Sequence, residues 1–227
     1  MIKVLKLYLA ENLKKQEDRQ INNKNYTKMV EIKFFNKWGI EGVSVEDAGL
    51  SRYITIQPRL IPKTGARYAG NRFHKSSTSV VERLAVKLMG SGHKSKKHVM
   101  SSGHNTGKKN GVLRVVEEAL EIIEKTMKQN PIKVLVKAVE MGAPREEVIA
   151  IEYGGARYPK AVDVAPQRRV DLALRYITQG AYIKSFNKKT SVAQALAAEL
   201  MNAAKGSLQS AAIAKKRDTE RQASSSK

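Results

Sequence analysis

Cysteine is absent from this sequence of 227 residues, which excludes a disulfide framework and thiolate metal sites and fits a reducing interior. No apolar run approaches the roughly 20 residues that a membrane-spanning helix needs. The first fifteen residues lack the marks of a secretory signal. Lys3 and Lys6 interrupt their apolar run, and no small-residue cleavage site follows. A mitochondrial presequence avoids acids, whereas Glu11, Glu17 and Asp18 are present. Negative charge is scarcest in the middle of the chain. Between residues 52 and 109 stand thirteen Lys or Arg and a single acid, Glu82.

What is there is basic. The net charge is +21, with 41% hydrophobic and 28% charged residues, and all four histidines (His74, His93, His98, His104) fall in the same central stretch. Like charges repel in a compact state, so a field of one sign adds nothing to stability. Its usual use is a polyanion, whose condensed counterions are released on binding. The composition therefore points to nucleic acid. The hydrophobic fraction still suffices for an ordered core, in one domain with extensions or in two small ones.

Periodicity places regular structure mainly after residue 79. Residues 1–28 read either as a short amphipathic helix (Ile2, Leu5, Leu9, Leu13) with an Asn-rich continuation, or as an extension upstream of a start at Met29. Residues 1–33 are accordingly set apart as an N-terminal extension. Residues 34–78 are set apart as a basic N-terminal segment: 34–62 is irregular and turn-rich with an extended run over 53–56, and 63–79 is polar and basic, an arm lying on a surface. Ser79 is a candidate N-cap for a helix over 80–89 that Gly90 ends. Helices are predicted over 111–128, with an apolar stripe through Leu113, Val116, Leu120, Ile123 and Met127, and over 131–142, opened by Pro131. Glu117, Glu118, Glu121 and Glu124 mark the solvent side of the first of these. Two more helices are expected over 167–179 and 192–204. A last one begins after Ser207 and gives way to a disordered tail over 223–227.

One segment has period two. Residues 146–153 alternate, Gly154 and Gly155 follow, and a second extended run reaches Val164. A Gly-Gly turn between alternating runs is a strong hairpin signal, because tight hairpin turns need positive φ. Pro159 restricts its strand to an edge. With no third strand nearby, the ribbon should project from the helices. The expected fold is mainly α: a bundle of five to six helices over 79–222, a projecting β-hairpin at 146–164, and basic extensions at both ends.

Few residues invite chemistry. His93, His98 and His104 have neither Cys nor acidic neighbours, and the lysines around them repel a cation, so solvated or phosphate-facing histidines are expected rather than a metal site. The stretch from Gly103 to Lys109 fails as a nucleotide-binding loop. It has three residues between glycines where four are needed, and Lys109 stands in place of the magnesium-holding hydroxyl. No catalytic constellation stands out, so neither catalysis nor a cofactor is expected. Arg168 and Arg169 lie in the first turn of a helix, where the macrodipole favours acids, and this suggests an approaching phosphate. Arg157, Tyr158 and Lys160 lie just past the hairpin turn, a basic and aromatic pattern able to hold phosphates and stack on bases.

The run from Tyr153 to Tyr176, YGGARYPKAVDVAPQRRVDLALRY, closely resembles the signature of the universal S-seven family of small-subunit ribosomal proteins, called S-five in eukaryotes. The similarity extends through residues 191–200 and the Ala214-to-Asp218 tail. Trp38 to Lys75, with Arg72-Phe73-His74, looks like the archaeal and eukaryotic form. This resemblance implies a non-enzymatic constituent of cytoplasmic ribosomes. Such a protein binds the 3′ major (head) domain of 16S rRNA, helps nucleate head assembly, and contacts neighbouring head and platform proteins. Its hairpin would reach exit-site tRNA and the mRNA exit path, with Gly154 and Gly155 at the turn and Arg157, Tyr158 and Lys160 on the arm. The rRNA-binding residues expected are Lys63, Arg67, Arg72, His74, Lys75, Lys94, Lys96, Lys97, Lys108, Lys109, Arg168, Arg169, Lys215, Lys216 and Arg217. Residues 1–28 have no counterpart in the family pattern, and the loop 91–107 is longer than it. Two other classes stand against this reading. A free DNA-binding regulator of helix-turn-helix type would need a short turn between two helices, where this chain has long basic connections. A metal-dependent nuclease or RNA-modifying enzyme would need ligands that are missing.

Overall fold

The most apolar long helix among the described residues runs over Val192–Ala204, and its only charged residue is Glu199. A helix apolar on all sides belongs in the interior. In the computed structural model, which describes residues 32–60, 69–94, 97–98 and 103–227, this helix (α6) packs against three others. Those are α3 (Lys109–Met127), α4 (Pro131–Gly142) and α5 (Pro166–Ser185). Ala193, Ala195, Ala197 and Ala203 are buried along it, and such small side chains let neighbouring helix backbones approach. A capping box at Ser191 and Gln194 starts α6, which satisfies two backbone donors reciprocally.

Around this centre lie α1 (Ala48–Ser51), α2 (Val80–Met89) and α7 (Ala211–Ser225). The seven helices among the described residues make a mainly α fold with a two-stranded arm, as the sequence predicts. The one beyond the expected five or six is α1, too short to show a period. Ser79 precedes α2 as expected, but its hydroxyl caps nothing and has no partner. A small ribbon, β1 (His93–Lys94) with β2 (Lys97–His98), forms in the loop where none was predicted.

Helix α5 outruns its predicted end at Gln179, and Gly180 explains the error. This glycine does not terminate the helix. A Cβ added there would stand 2.8 Å from Ala211 Cβ and 2.9 Å from the Glu199 carboxyl carbon, so its missing side chain lets α5 meet α6 and α7. Glu199 is fully buried at that junction. It pairs with Lys184 at 2.6 Å and accepts from Ser210 Oγ at 2.7 Å and the Ala212 amide at 3.2 Å. Helix α7 continues through Ser225, past the predicted start of the tail at residue 223.

The acidic side of α3 is not its solvent side throughout. Lys37 bridges Glu117 and Glu121, and Trp38 donates its indole N–H to Glu124 at 3.0 Å. The two hydrogen bonds that Lys37 donates to Glu117 and Glu121 hold it charged well above the ordinary lysine range. Phe34, Trp38, Leu50 and Ile54 are buried against the bundle, so the N-terminal segment is part of the core. Glu140 fastens it further along, accepting from the amides of Glu46 and Asp47.

Strands β3 (Glu146–Tyr153) and β4 (Ala156–Asp163) pair antiparallel, from Glu146 opposite Asp163 out to Tyr153 opposite Ala156. Gly154 and Gly155 have φ of 57° and 81°, the left-handed pair of a tight hairpin turn. Residues 149–160 are exposed, while the base of the ribbon packs on α7. Lys227 pairs there with Glu146 at 2.8 Å, and Glu220 accepts from the Arg145 amide. The arm is rooted in the bundle at one end only.

Candidate nucleic-acid interface

Among the predicted cations, exposure and freedom from carboxylates separate two groups. Arg72, Lys108, Lys160, Lys215 and Arg217 are exposed and form no ion pair among the described residues. Arg72 lies over the Phe73 ring at 5.6 Å, and His74 is exposed beside Asn71. On the arm, Arg157 is 76% exposed in its side chain and only loosely paired with Glu152, at 3.5 Å. Tyr158 is 59% exposed and faces Ile151 across the ladder. Lys63, Arg67 and Lys96 lie outside the described residues. Lys94 and Lys97 are placed only as backbone in β1 and β2.

The second group is internal. Lys109 pairs with Glu82 at 2.6 Å, and Glu82 is 2% exposed. The single acid of the basic stretch is thus a buried counter-ion, not a gap in a solvent field. Lys75 pairs with Asp171, which Arg83 also meets at 3.2 Å. Lys216 donates to the Met141 carbonyl at 2.9 Å, and burial pulls its pKa down. These lysines, expected as rRNA contacts, are each held by a carboxylate or carbonyl far away in sequence.

The two arginines of the pair have different surroundings. Arg168 makes a two-pronged bridge to Glu147, at 2.8 and 2.9 Å, so a carboxylate from β3 sits where a phosphate was anticipated. Arg169 is not at an exposed helix start. It pairs with Asp47 at 3.0 Å, donates to the Pro144 carbonyl, and keeps only 13% of its side chain exposed. Arg169→Ala should therefore lower stability by about 2 kcal/mol, whereas Arg168→Ala, losing a surface pair, should cost under about 1 kcal/mol. Thermal unfolding of the two single variants checks this. Equal, negligible shifts would restore the reading of both as surface contacts.

Sequence reasoning missed a cluster. Lys75, Arg83, Lys87 and Arg175 all act on the one carboxylate of Asp171 or on each other, from α2, α5 and the turn before α2. Burial lowers the Lys87 pKa, and the charges of Lys75, Arg175 and Arg83 lower it further against the pull of Asp171. Burial also works to raise the Asp171 pKa, but the Lys75 hydrogen bond and the surrounding cations outweigh it and hold the carboxyl below its ordinary value. The patch keeps an excess of positive charge, which an external anion would relieve. Lys87 and Arg175 carried no sequence signal, since each reads as an ordinary solvated helix position.

Residues 50–227 match the family model for ribosomal protein S7p/S5e. The chain belongs to this family. It is 51% identical over 198 residues to the small ribosomal subunit protein uS7 of Nanoarchaeum equitans, covering 87% of this chain and 100% of that one. It is 46% identical over 194 residues to the protein of the same name from Methanosphaera stadtmanae, covering 86% and 98%. The corresponding protein of Methanothermobacter thermautotrophicus is 46% identical over 187 residues, covering 82% and 95%. All three are archaeal, within the archaeal and eukaryotic form that the Trp38-to-Lys75 segment suggested. Membership makes the chain a structural, non-enzymatic ribosomal protein of the translation machinery, an rRNA-binding component of cytoplasmic ribosomes.

Proposed function

We propose that this protein binds the 3′ major (head) domain of 16S rRNA, helps nucleate folding of that domain, and holds its β-hairpin against exit-site tRNA and the mRNA exit path. The observation that carries the reading is the arm. Residues 149–160 stand clear of the bundle, and Arg157, Tyr158 and Lys160 are exposed on a ribbon that contributes almost nothing to the core. A two-stranded ribbon is marginal alone in water, so a partner surface would steady it. Lys108, Lys215 and Arg217, with Arg72, supply charge outside the arm for the rRNA, and His74 adds an exposed hydrogen-bonding ring. Phosphate contacts of this kind fix position and orientation, while the arm reaches outward. Neighbouring head and platform proteins would cover part of the remaining surface.

Binding of the full chain to a transcript of the 3′ major domain tests this. Log affinity should fall against log salt with a slope of several units, about 0.7 to 0.9 per phosphate neutralised. Equal affinity for transcripts of other rRNA domains, or a slope near zero, would contradict it. Tighter binding to duplex DNA of equal length would favour a DNA-binding regulator.

A further inference from the structure

Near the C-terminal end of α5 the rings of Tyr182 and Phe186 stack, with centroids 5.5 Å apart and planes 20° from parallel. Beside them lies a cleft of about 280 Å³ whose walls include Ser91, His104, Asn105, Tyr182, Phe186 and Asn187. No acid lines it. The Tyr182 hydroxyl is buried and has no hydrogen-bond partner among the described residues, and a buried polar group left unpaired is unusual in a folded protein. Phe186 closes the helix at its C-cap and is 41% exposed. Asn187 follows with φ of 53°, turning the chain, and Lys188 and Lys189 come next, both exposed.

We propose that this cleft receives one unstacked nucleobase from a single-stranded segment of RNA, with Lys188 and Lys189 against its flanking phosphates. The site rests on the RNA-binding reading above and is separate from the hairpin. An exposed aromatic ring offers a stacking surface to any base, and here it extends an existing stack. The carboxamides of Asn105 and Asn187 each carry donors and an acceptor, which suits the mixed edge of a base better than a cation or a purely apolar anchor. A small outward shift of the Tyr182 ring on binding would bring its buried hydroxyl to the edge of a base in the cleft. Sequence-specific recognition of RNA favours such splayed-out bases over duplex grooves.

The test uses the full chain and the 3′ major domain transcript. Ultraviolet cross-linking with peptide mapping should place a nucleotide on Tyr182 or Phe186. Phe186→Ala should weaken binding about tenfold with no change in the salt slope, because stacking is not electrostatic. Phe186→Trp should keep the affinity, and its fluorescence should be quenched on binding. Changing Lys188 and Lys189 to Ala should instead lower the slope by about one unit or more. Should Phe186→Ala lose helicity, Tyr182→Phe removes only a hydroxyl and should still weaken binding a few-fold. The proposal is overturned if the wild-type chain binds the transcript while no cross-link falls between residues 181 and 192 and neither aromatic variant changes affinity. Failure of the wild-type chain to bind any RNA would overturn the parent reading as well, which keeps the two failures apart.

Discussion

Glu199→Ala should destabilise the protein by about 3 kcal/mol, a fall in Tm of roughly 6 to 12 °C for a chain of this size. The carboxylate is fully buried where α5, α6 and α7 meet, and it serves three donors at once: Lys184, Ser210 and the Ala212 amide. Removing it strands two buried donors and opens a void. Lys184 suffers less, since about a third of its side chain already reaches water. Glu199→Gln keeps the volume and an acceptor and should cost clearly less. Circular dichroism melts of both variants decide the matter, and a Glu199→Ala protein that melts with the wild type would remove this residue from the account. The same junction explains why Gly180 tolerates no side chain, its nearest neighbours lying within 3 Å of any added Cβ.

Removing the arm should have the largest effect on function and the smallest on folding. Residues 149–160 are exposed, whereas Glu146, Glu147 and Val148 are half-buried at the root, as are Val162 and Ala161 opposite Glu147 and Val148. Replacing residues 149–160 with a short Gly/Ser turn therefore keeps the Glu147–Arg168 and Glu146–Lys227 bridges in place. The helical core should fold with its Tm within a few degrees of the wild type, and the shortened protein should enter small subunits through its remaining basic surfaces. Those subunits should show altered occupancy of the exit site by tRNA, or altered reading-frame fidelity. A core that fails to fold without the arm, or translation that is unchanged, would contradict the reading of the ribbon as a projecting arm.

Helices α2 to α6 were legible because each buries apolar residues at helical spacing against neighbours, whereas α7 was legible only from its Ala- and Lys-rich composition. The hairpin was legible from alternation and from Gly154-Gly155, where backbone geometry restricts the choice of residue. Charge was harder to read. Lysines and arginines look alike whether they face water or a buried acid, and Asp47 and Asp171 lie 122 and 96 residues from Arg169 and Lys75 respectively. Only Glu82, one acid alone in a basic stretch, gave a local hint of an internal pair. Gly180 was misleading for a related reason. Its role is set by Ala211 and Glu199 on other helices, which no window along α5 contains.

Sedimentation of the native protein from its own cells is the most direct test of the central claim, that this chain is a fixed, RNA-bound part of the small ribosomal subunit. On a sucrose gradient at moderate salt the protein should travel wholly with small subunits and whole ribosomes, and high salt should strip part of it away. A substantial pool that stays free of ribosomal particles and bound to DNA would contradict the account.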